Sequence, residues 1–473
     1  MRPKNPAAGL LMSGAALLLV ASIVVSLSIE SERLSLTLPI VVQAVIGMIA
    51  TRAIVARAGA VSVCAGLIIG FEIFRGCAVP LLVQIFGQEQ PKYRQLGTYS
   101  DAAEVLWIGV GFFASITAVF VVYALVADAS RRQRVDTVAE SKADVNIATG
   151  GGVAMVGLGI VGLVMRFPDA SAIGAFLSGD YDGLQTAPQG GLLGFASAVL
   201  RPLLPLGLAL IMVRAHRESR RVPFLLWPLL AGAIVFALGS YGLNRAAVLL
   251  PTAAFIVASA RYLALRIRPM WVVVSAGAAA AMFIGLGGLR ESLYAERIGD
   301  GAARRTSFVE SIVQTVILYG QSPIQVAPAI AASREGIWAP ETLVNSLLSP
   351  IPGAPDDLRS HTGTVIYNQL LYQSSIPTDQ IIPSWAEVYF STGFLGLAAI
   401  GMFVGVLALS LDRAVHRSRI LVRSYSLILA VLIIGQISIS SISATLQNLV
   451  YFVAVPMLMA LSVGLVPRRQ YVR

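Results

Sequence analysis

Charge is what this sequence has least of. Asp, Glu, Lys and Arg make up 13% of its 473 residues, against about 25% in ordinary soluble domains. Hydrophobic residues make up 56%, and the mean hydropathy is +0.77. This composition excludes a soluble or a disordered chain and leaves an all-α polytopic membrane protein. Cysteine is nearly absent too. Cys64 and Cys77 fall in one apolar stretch, too far apart along a helix to bridge, so neither a disulfide framework nor a thiolate metal site is expected. Of three histidines, His216 and His416 lie in basic stretches and His361 lies in a polar one. Asp356 and Asp357 are adjacent and have the chemistry to hold a divalent cation, but no cluster of His or Cys accompanies them. No metal and no cofactor are expected.

Long apolar runs are abundant. A spanning helix takes about 20 apolar residues. About twelve stretches qualify: 8–28, 36–56, 60–86, 104–127, 147–165, 192–213, 223–240, 245–262, 269–288, 385–410, 424–443 and 446–466. The net charge of +10 is concentrated in short arginine runs beside these stretches, a topology signal rather than a nucleic-acid footprint. With a cytoplasmic N-terminus, 22 of the 35 Lys and Arg fall on the inner side. Both termini are therefore expected in the cytoplasm. Trp107, Trp227, Trp271 and Trp385 stand at expected helix ends, as interfacial belts require.

Residues 289–383 break the pattern. They form a mostly polar segment between transmembrane helices 1–9 (residues 1–288) and 10–12 (residues 384–473), and uninterrupted connections longer than about 15 residues are uncommon. A folded extracytoplasmic lid is expected, with outer segments 88–103 and 166–191 packed beneath it. Within it, residues 304–330 carry Phe308, Ile312, Val313, Val316 and Ile317 at helical spacing, the mark of an amphipathic helix at the outer interface. The run Pro350-Ile351-Pro352-Gly353-Ala354-Pro355 stops any helix. Val365, Ile366, Leu370 and Leu371 restart one.

Ionisable residues within spans are costly and mark functional sites by default. Arg201 lies about nine residues into the sixth span, in Leu200-Arg201-Pro202-Leu203-Leu204-Pro205. It needs an anionic partner: a substrate, Glu72 or another carboxylate. Arg245 follows Tyr241 and Asn244 at the first turn of a helix. A cation there opposes the macrodipole, so anion binding explains it better than structure does. Arg290 and Glu387 stand at the two feet of the lid. Glu72 and Arg75, three apart on the third span, are placed to pair with each other. Arg359 and His361 share the most polar part of the lid, where a histidine among carboxylates suits general-base work.

Several arginines below a lid, with one Glu and one His at hand, suit a phosphorylated lipid, because guanidinium binds phosphate bidentately and stays charged. Fixed cations would stabilise a pyrophosphate leaving group without metal. The segment Gly239-Ser240-Tyr241-Gly242-Leu243-Asn244-Arg245-Ala246-Ala247 and the stretch Ser384-Trp385-Ala386-Glu387-Val388-Tyr389-Phe390-Ser391-Thr392-Gly393-Phe394-Leu395-Gly396 resemble motifs of the Wzy-type O-antigen and exopolysaccharide repeat-unit polymerases, within the O-antigen polymerase and ligase superfamily. The first is similar to that family's Ser-Arg-Gly-type turn, with Asn244 before the arginine. The second is similar to its Gly-Glu-Leu-Tyr and Phe-Gly pattern, with Ala386 for the usual Gly.

The resemblance implies a GT-C-like glycosyltransferase in the bacterial inner membrane, its active site facing the periplasm. The substrate it implies is an undecaprenyl-pyrophosphate-linked oligosaccharide within membrane lipid, with a chain-length regulator as a further partner and no nucleic acid. It gives Arg245 and Arg201 the pyrophosphate, Arg290 and Arg359 supporting contacts, and Glu387 or His361 the acceptor hydroxyl. Tyr241, Asn244, Tyr389, Glu72 and Arg75 complete the candidate set. The rivals are an O-antigen ligase transferring to lipid A core, a flippase or transporter, and a glycosyltransferase using polyprenyl-monophosphate sugars. Transporters of this size usually repeat their halves, and the single late lid has no counterpart. For the last rival, the loop holding Glu30 and Glu32 is too short to carry a catalytic face.

Overall fold

The computed structural model describes residues 6–58, 63–88, 95–126, 149–167, 191–219, 230, 232–234, 245–262, 308–351, 354–373, 381–417, 421–454 and 457–458, and every regular element among them is helical. Six helices are long and apolar enough to cross a membrane: Ala7–Ser26, Ser31–Ala56, Val63–Phe86, Tyr99–Val126, Leu193–Met212 and Ser384–His416. Gly151–Arg166, Arg423–Gly435 and Ile442–Ala454 are shorter apolar helices. The chain is a helical protein of the multi-pass membrane type. The expected spans 223–240 and 269–288 lie almost wholly outside the described residues.

The first packing group contains α1 (Pro6–Ser26), the short α2 (Ser31–Leu34), α3 (Thr37–Ala58), α4 (Val63–Ile73), α5 (Val79–Phe86) and α6 (Tyr99–Val126). A π-helical turn, Phe74–Ala78, joins α4 to α5. Thr98 starts α6: its hydroxyl accepts from the Asp101 N–H at 3.1 Å, satisfying one of the free donors of a helix start. α1 packs on α3, and α3 packs on α6.

The second group holds α7 (Thr149–Arg166), α8 (Gly191–Leu200), α9 (Leu203–Ser219) and α10 (Arg245–Tyr262). The span expected at 192–213 corresponds to Leu193–Met212, which a turn divides into α8 and α9. Pro202 has no N–H to continue the ladder, and the chain turns at Arg201-Pro202. α7 and α9 run antiparallel at close range. A Cβ added to Gly159 would come within 2.4 Å of the Leu204 backbone nitrogen, and one on Gly207 within 2.6 Å of the Gly152 carbonyl oxygen. Small residues allow this approach, as in membrane helix pairs generally.

The polar segment folds into α11 (Phe308–Tyr319), α12 (Pro323–Val326), α13 (Pro328–Arg334), α14 (Pro340–Leu348), α15 (Asp356–Ser360) and α16 (Gly363–Tyr372). The helix expected over 304–330 is shorter. It ends at Tyr319, Gln321 takes a positive φ of 59°, and Pro323 and Pro328 each open a new short helix. Ile317 and Leu318 are buried, and the end of α11 lies against α5, where Gly320 meets Val79. The break at 350–355 and the restart after it occur where the prolines and the apolar spacing place them. Residues 95–98 pack on this cap: Gly97 N donates to the Ile324 carbonyl at 2.9 Å, and Gln95 N to that of Leu371 at 2.6 Å.

α17 (Ser384–Arg417) and α18 (Leu421–Gly435) return to the bundle, followed by a 3-10 turn at Ile437–Ile439, α19 (Ile442–Asn448) and a π-helix, Leu449–Ala454. The eleventh expected span thus stops at Gly435, not near residue 443. α17 is two helices across a kink: Gly393 has φ 71° and ψ −163°, a region essentially confined to glycine. α17 lies along α6 in the first group, whose core includes Ile40, Ile68, Phe112, Phe113 and Trp385. α18 also packs on α10 in the second group, whose core includes Met155, Leu206, Phe255 and Leu429.

Candidate functional site

Polar chemistry gathers where the cap meets α17. Ser384 opens that helix, its N–H donating to the Ser440 carbonyl at 2.8 Å, and its hydroxyl donates to the same oxygen. Trp385 Nε1 donates to the Ser438 carbonyl at 3.1 Å. The first turn of α17 is thereby fixed to the break between α18 and α19.

Glu387 sits one residue beyond Ala386 and is 0% exposed. Its Oε2 accepts from the Ile442 N–H, the first residue of α19, at 3.2 Å. The Ser346 hydroxyl of α14 and the Gly363 N–H of α16 also approach the carboxylate, and Gly363 N donates to Ser346 Oγ at 3.0 Å. A Cβ at position 363 would lie 2.4 Å from Oε1, so glycine is required for α16 to seat on the carboxylate. Glu387 therefore touches two elements of the cap and one of the bundle.

The pair anticipated on the third span forms. Arg75 Nη2 lies 2.6 Å from Glu72 Oε2, with the side chains 2% and 0% exposed. Gln43 Nε2 donates to the same oxygen at 2.9 Å. The guanidinium stacks 4.4 Å from the centre of the Trp385 ring, a desolvated cation–π contact. Trp385 is therefore a core residue and not part of an interfacial belt. Glu72 is engaged by Arg75 and Gln43, not by Arg201.

Arg201 is buried in the turn between α8 and α9, where its Nε donates to the Ser197 carbonyl at 3.0 Å. Ser197 in turn donates to the Gly162 carbonyl at 2.8 Å. Arg201 belongs with the second packing group and Glu387 with the first. Phe195 of α8 meets Tyr451, in the π-helix after α19, edge-on at 5.6 Å.

On the cap, His361 is 64% exposed, with Nδ1 2.8 Å from the Asp357 carbonyl and 3.4 Å from its carboxylate. The ring is directed outward, while its own carbonyl accepts from Asn345 Nδ2 at 3.3 Å. His361 is thus two residues from Gly363, but its imidazole does not join the Glu387 contacts. Arg359 is half-buried, and its Nε has no hydrogen-bond partner. Tyr389 packs edge-on against Phe394 at 4.9 Å. Arg245 opens α10, its side chain lying outside the described structure, as do Tyr241, Asn244 and Arg290 entirely. Among the described residues no three His, Cys, Asp or Glu side chains come together to hold a metal.

Ser346, Gln43 and Ile442 were not anticipated. The serines in Ile437-Ser438-Ile439-Ser440-Ser441 interrupt an apolar stretch, and that interruption is the sequence signal for the break on which Glu387 is seated. No known protein family, curated protein or solved structure matches this chain.

Proposed function

We propose that the chain is a polysaccharide polymerase of the bacterial inner membrane, transferring a growing glycan from undecaprenyl pyrophosphate to a new lipid-linked repeat unit. The reading takes the twelve-span layout, with both termini cytoplasmic, a GT-C-like arrangement and the cap on the periplasmic face. One observation carries it: Glu387, in the stretch that resembles the polymerases, is the carboxylate at the joint of cap and bundle. One of its oxygens is held by the Ile442 N–H, and Ser346 and Gly363 of the cap approach the same carboxylate.

In this reading the acceptor hydroxyl gives its proton to Glu387 Oε1 as its oxygen attacks the anomeric carbon of the donor glycan. The bond from that carbon to the pyrophosphate oxygen breaks, and the electron pair leaves with the carrier. Arg359, whose Nε is unbonded, and the arginines at 245 and 290 offset the charge that develops on the leaving group. Because α14 and α16 cover Oε1 completely, substrate reaches it only when those helices move aside. Lid motions of this kind commonly gate catalysis.

The test uses purified protein with a synthetic lipid-pyrophosphate repeat unit, no nucleotide and products resolved by size. A ladder of products is expected. Transfer only after lipid A core is added would replace the polymerase with the ligase, and no consumption of the lipid substrate would remove both.

A further inference from the structure

α14 is built inside out. The residues it turns toward the rest of the cap are polar: Thr342 and Ser346 are buried, and Ser346 accepts the Gly363 N–H. After Pro340 and Glu341 in its first turn, the residues it turns away are apolar. Val344, Leu347 and Leu348 of the helix, and Ile351 three residues beyond its end, are 49%, 46%, 39% and 52% exposed. Ile337, just before the helix, is exposed as well. A cap bathed in water would have the opposite pattern.

A chain of ring contacts, buried at Trp338 and Phe390, joins the residues before this helix to the exposed apolar side chains of a spanning helix. Trp338 packs on Phe390 at 5.5 Å, Phe390 on Tyr389 at 5.7 Å, and Tyr389 on Phe394 at 4.9 Å. Phe394 and Leu395, directly after the Gly393 kink, are among the most exposed apolar side chains of α17. A chain of Trp, Tyr and Phe at the outer end of a span is the composition of a membrane–water interface. Three residues before Ile337, Arg334 is exposed and pairs with Asp101 at 3.4 Å and with Glu104. The boundary between polar and apolar surroundings therefore crosses the cap between Arg334 and Ile337.

We infer that α14 lies in the bilayer, its Val344–Leu347–Leu348–Ile351 face covered by the acyl chains of bulk lipid, so that part of the cap is a membrane-embedded rim. The buried side of that rim carries Ser346, which faces Glu387. A lipid tail sliding along the rim would thus bring its head group toward the joint. The placement of α14 in lipid does not depend on the reaction proposed above.

Variants of the full chain with one added cysteine test it, since Cys64 and Cys77 are buried. Val344→Cys and Leu347→Cys are labelled with an environment-sensitive fluorophore and reconstituted into vesicles whose acyl chains carry bromine. Leu395→Cys serves as the lipid-facing reference and Glu335→Cys as the aqueous one. The expected result is quenching by brominated chains at 344 and 347 as strong as at 395, with loss of the iodide quenching seen at 335. Two results would overturn the inference. In one, positions 344 and 347 follow 335. In the other, they escape both quenchers and Leu347→Cys forms disulfide dimers, which would mean that a second copy covers the face.

Discussion

At the scale of single residues, the strongest commitment of the sequence is the buried Arg75–Glu72 pair. Both groups have left water, and a buried pair broken on one side costs about 3–5 kcal/mol because the other charge is stranded. Arg75→Met alone is therefore expected to lower the thermal midpoint in detergent sharply. Adding Glu72→Gln should recover most of the loss, and equal midpoints for the single and double variants would show that the pair carries little. The pair was legible because two opposite charges three apart on an apolar helix have one economical solution. The placement of Trp385 was not legible. A Trp at a helix end reads as interfacial, and nothing local reveals that a cation 310 residues earlier in the sequence will stack on it.

Glu387 is the other decisive residue. Glu387→Gln keeps the size of the side chain and an oxygen able to accept the Ile442 N–H, so the cap is expected to remain seated and the fold to survive. Transfer, in contrast, should be lost. Size-exclusion and thermal midpoint report the first outcome and product formation the second. His361→Ala, at an exposed position outside the Glu387 contacts, is expected to leave both nearly unchanged, and a loss of activity as deep as that of Glu387→Gln would reassign the base.

At the scale of elements, two glycines set geometry by different means. Gly393 has open space around it, so only its backbone conformation excludes other residues. Gly393→Ala is expected to cost about 1–3 kcal/mol, read as a lower thermal midpoint. Gly159 meets a crowded wall instead, and Gly159→Val should separate α7 from α9, lowering the midpoint while α17 and the cap stay intact to limited proteolysis. Proline made the stop after α14 readable, whereas the turn at Arg201-Pro202 and the serine interruption near 438 fall inside stretches that read as continuous spans. The kink at Gly393 was not readable. A glycine inside an apolar run is ordinary in membrane helices, and nothing in the run reveals that Tyr389 will pack on Phe394 across it.

For the whole molecule, apolar run length was enough to recover the class of protein, because the bilayer imposes a length on every helix that crosses it. Which helices share a core was beyond it. α18 joins two packing groups, and that arrangement follows from contacts between residues hundreds of positions apart, such as Asp412 Oδ1 accepting the Cys64 N–H at 2.9 Å. The candidate site was legible as a set of residue types at the feet of the cap. Its geometry was not, since Ser346, Gly363 and Ile442 reach Glu387 from three different elements.

The central claim is that lipid-linked glycan is transferred at the joint where Glu387 holds the cap. The direct measurement is transfer by purified wild-type protein and by Glu387→Gln, given the same synthetic lipid-pyrophosphate repeat unit without nucleotide. The expected result is a size ladder from the wild type and none from a variant that remains folded. A ladder of equal extent from both, or untouched lipid substrate with both, would contradict the account.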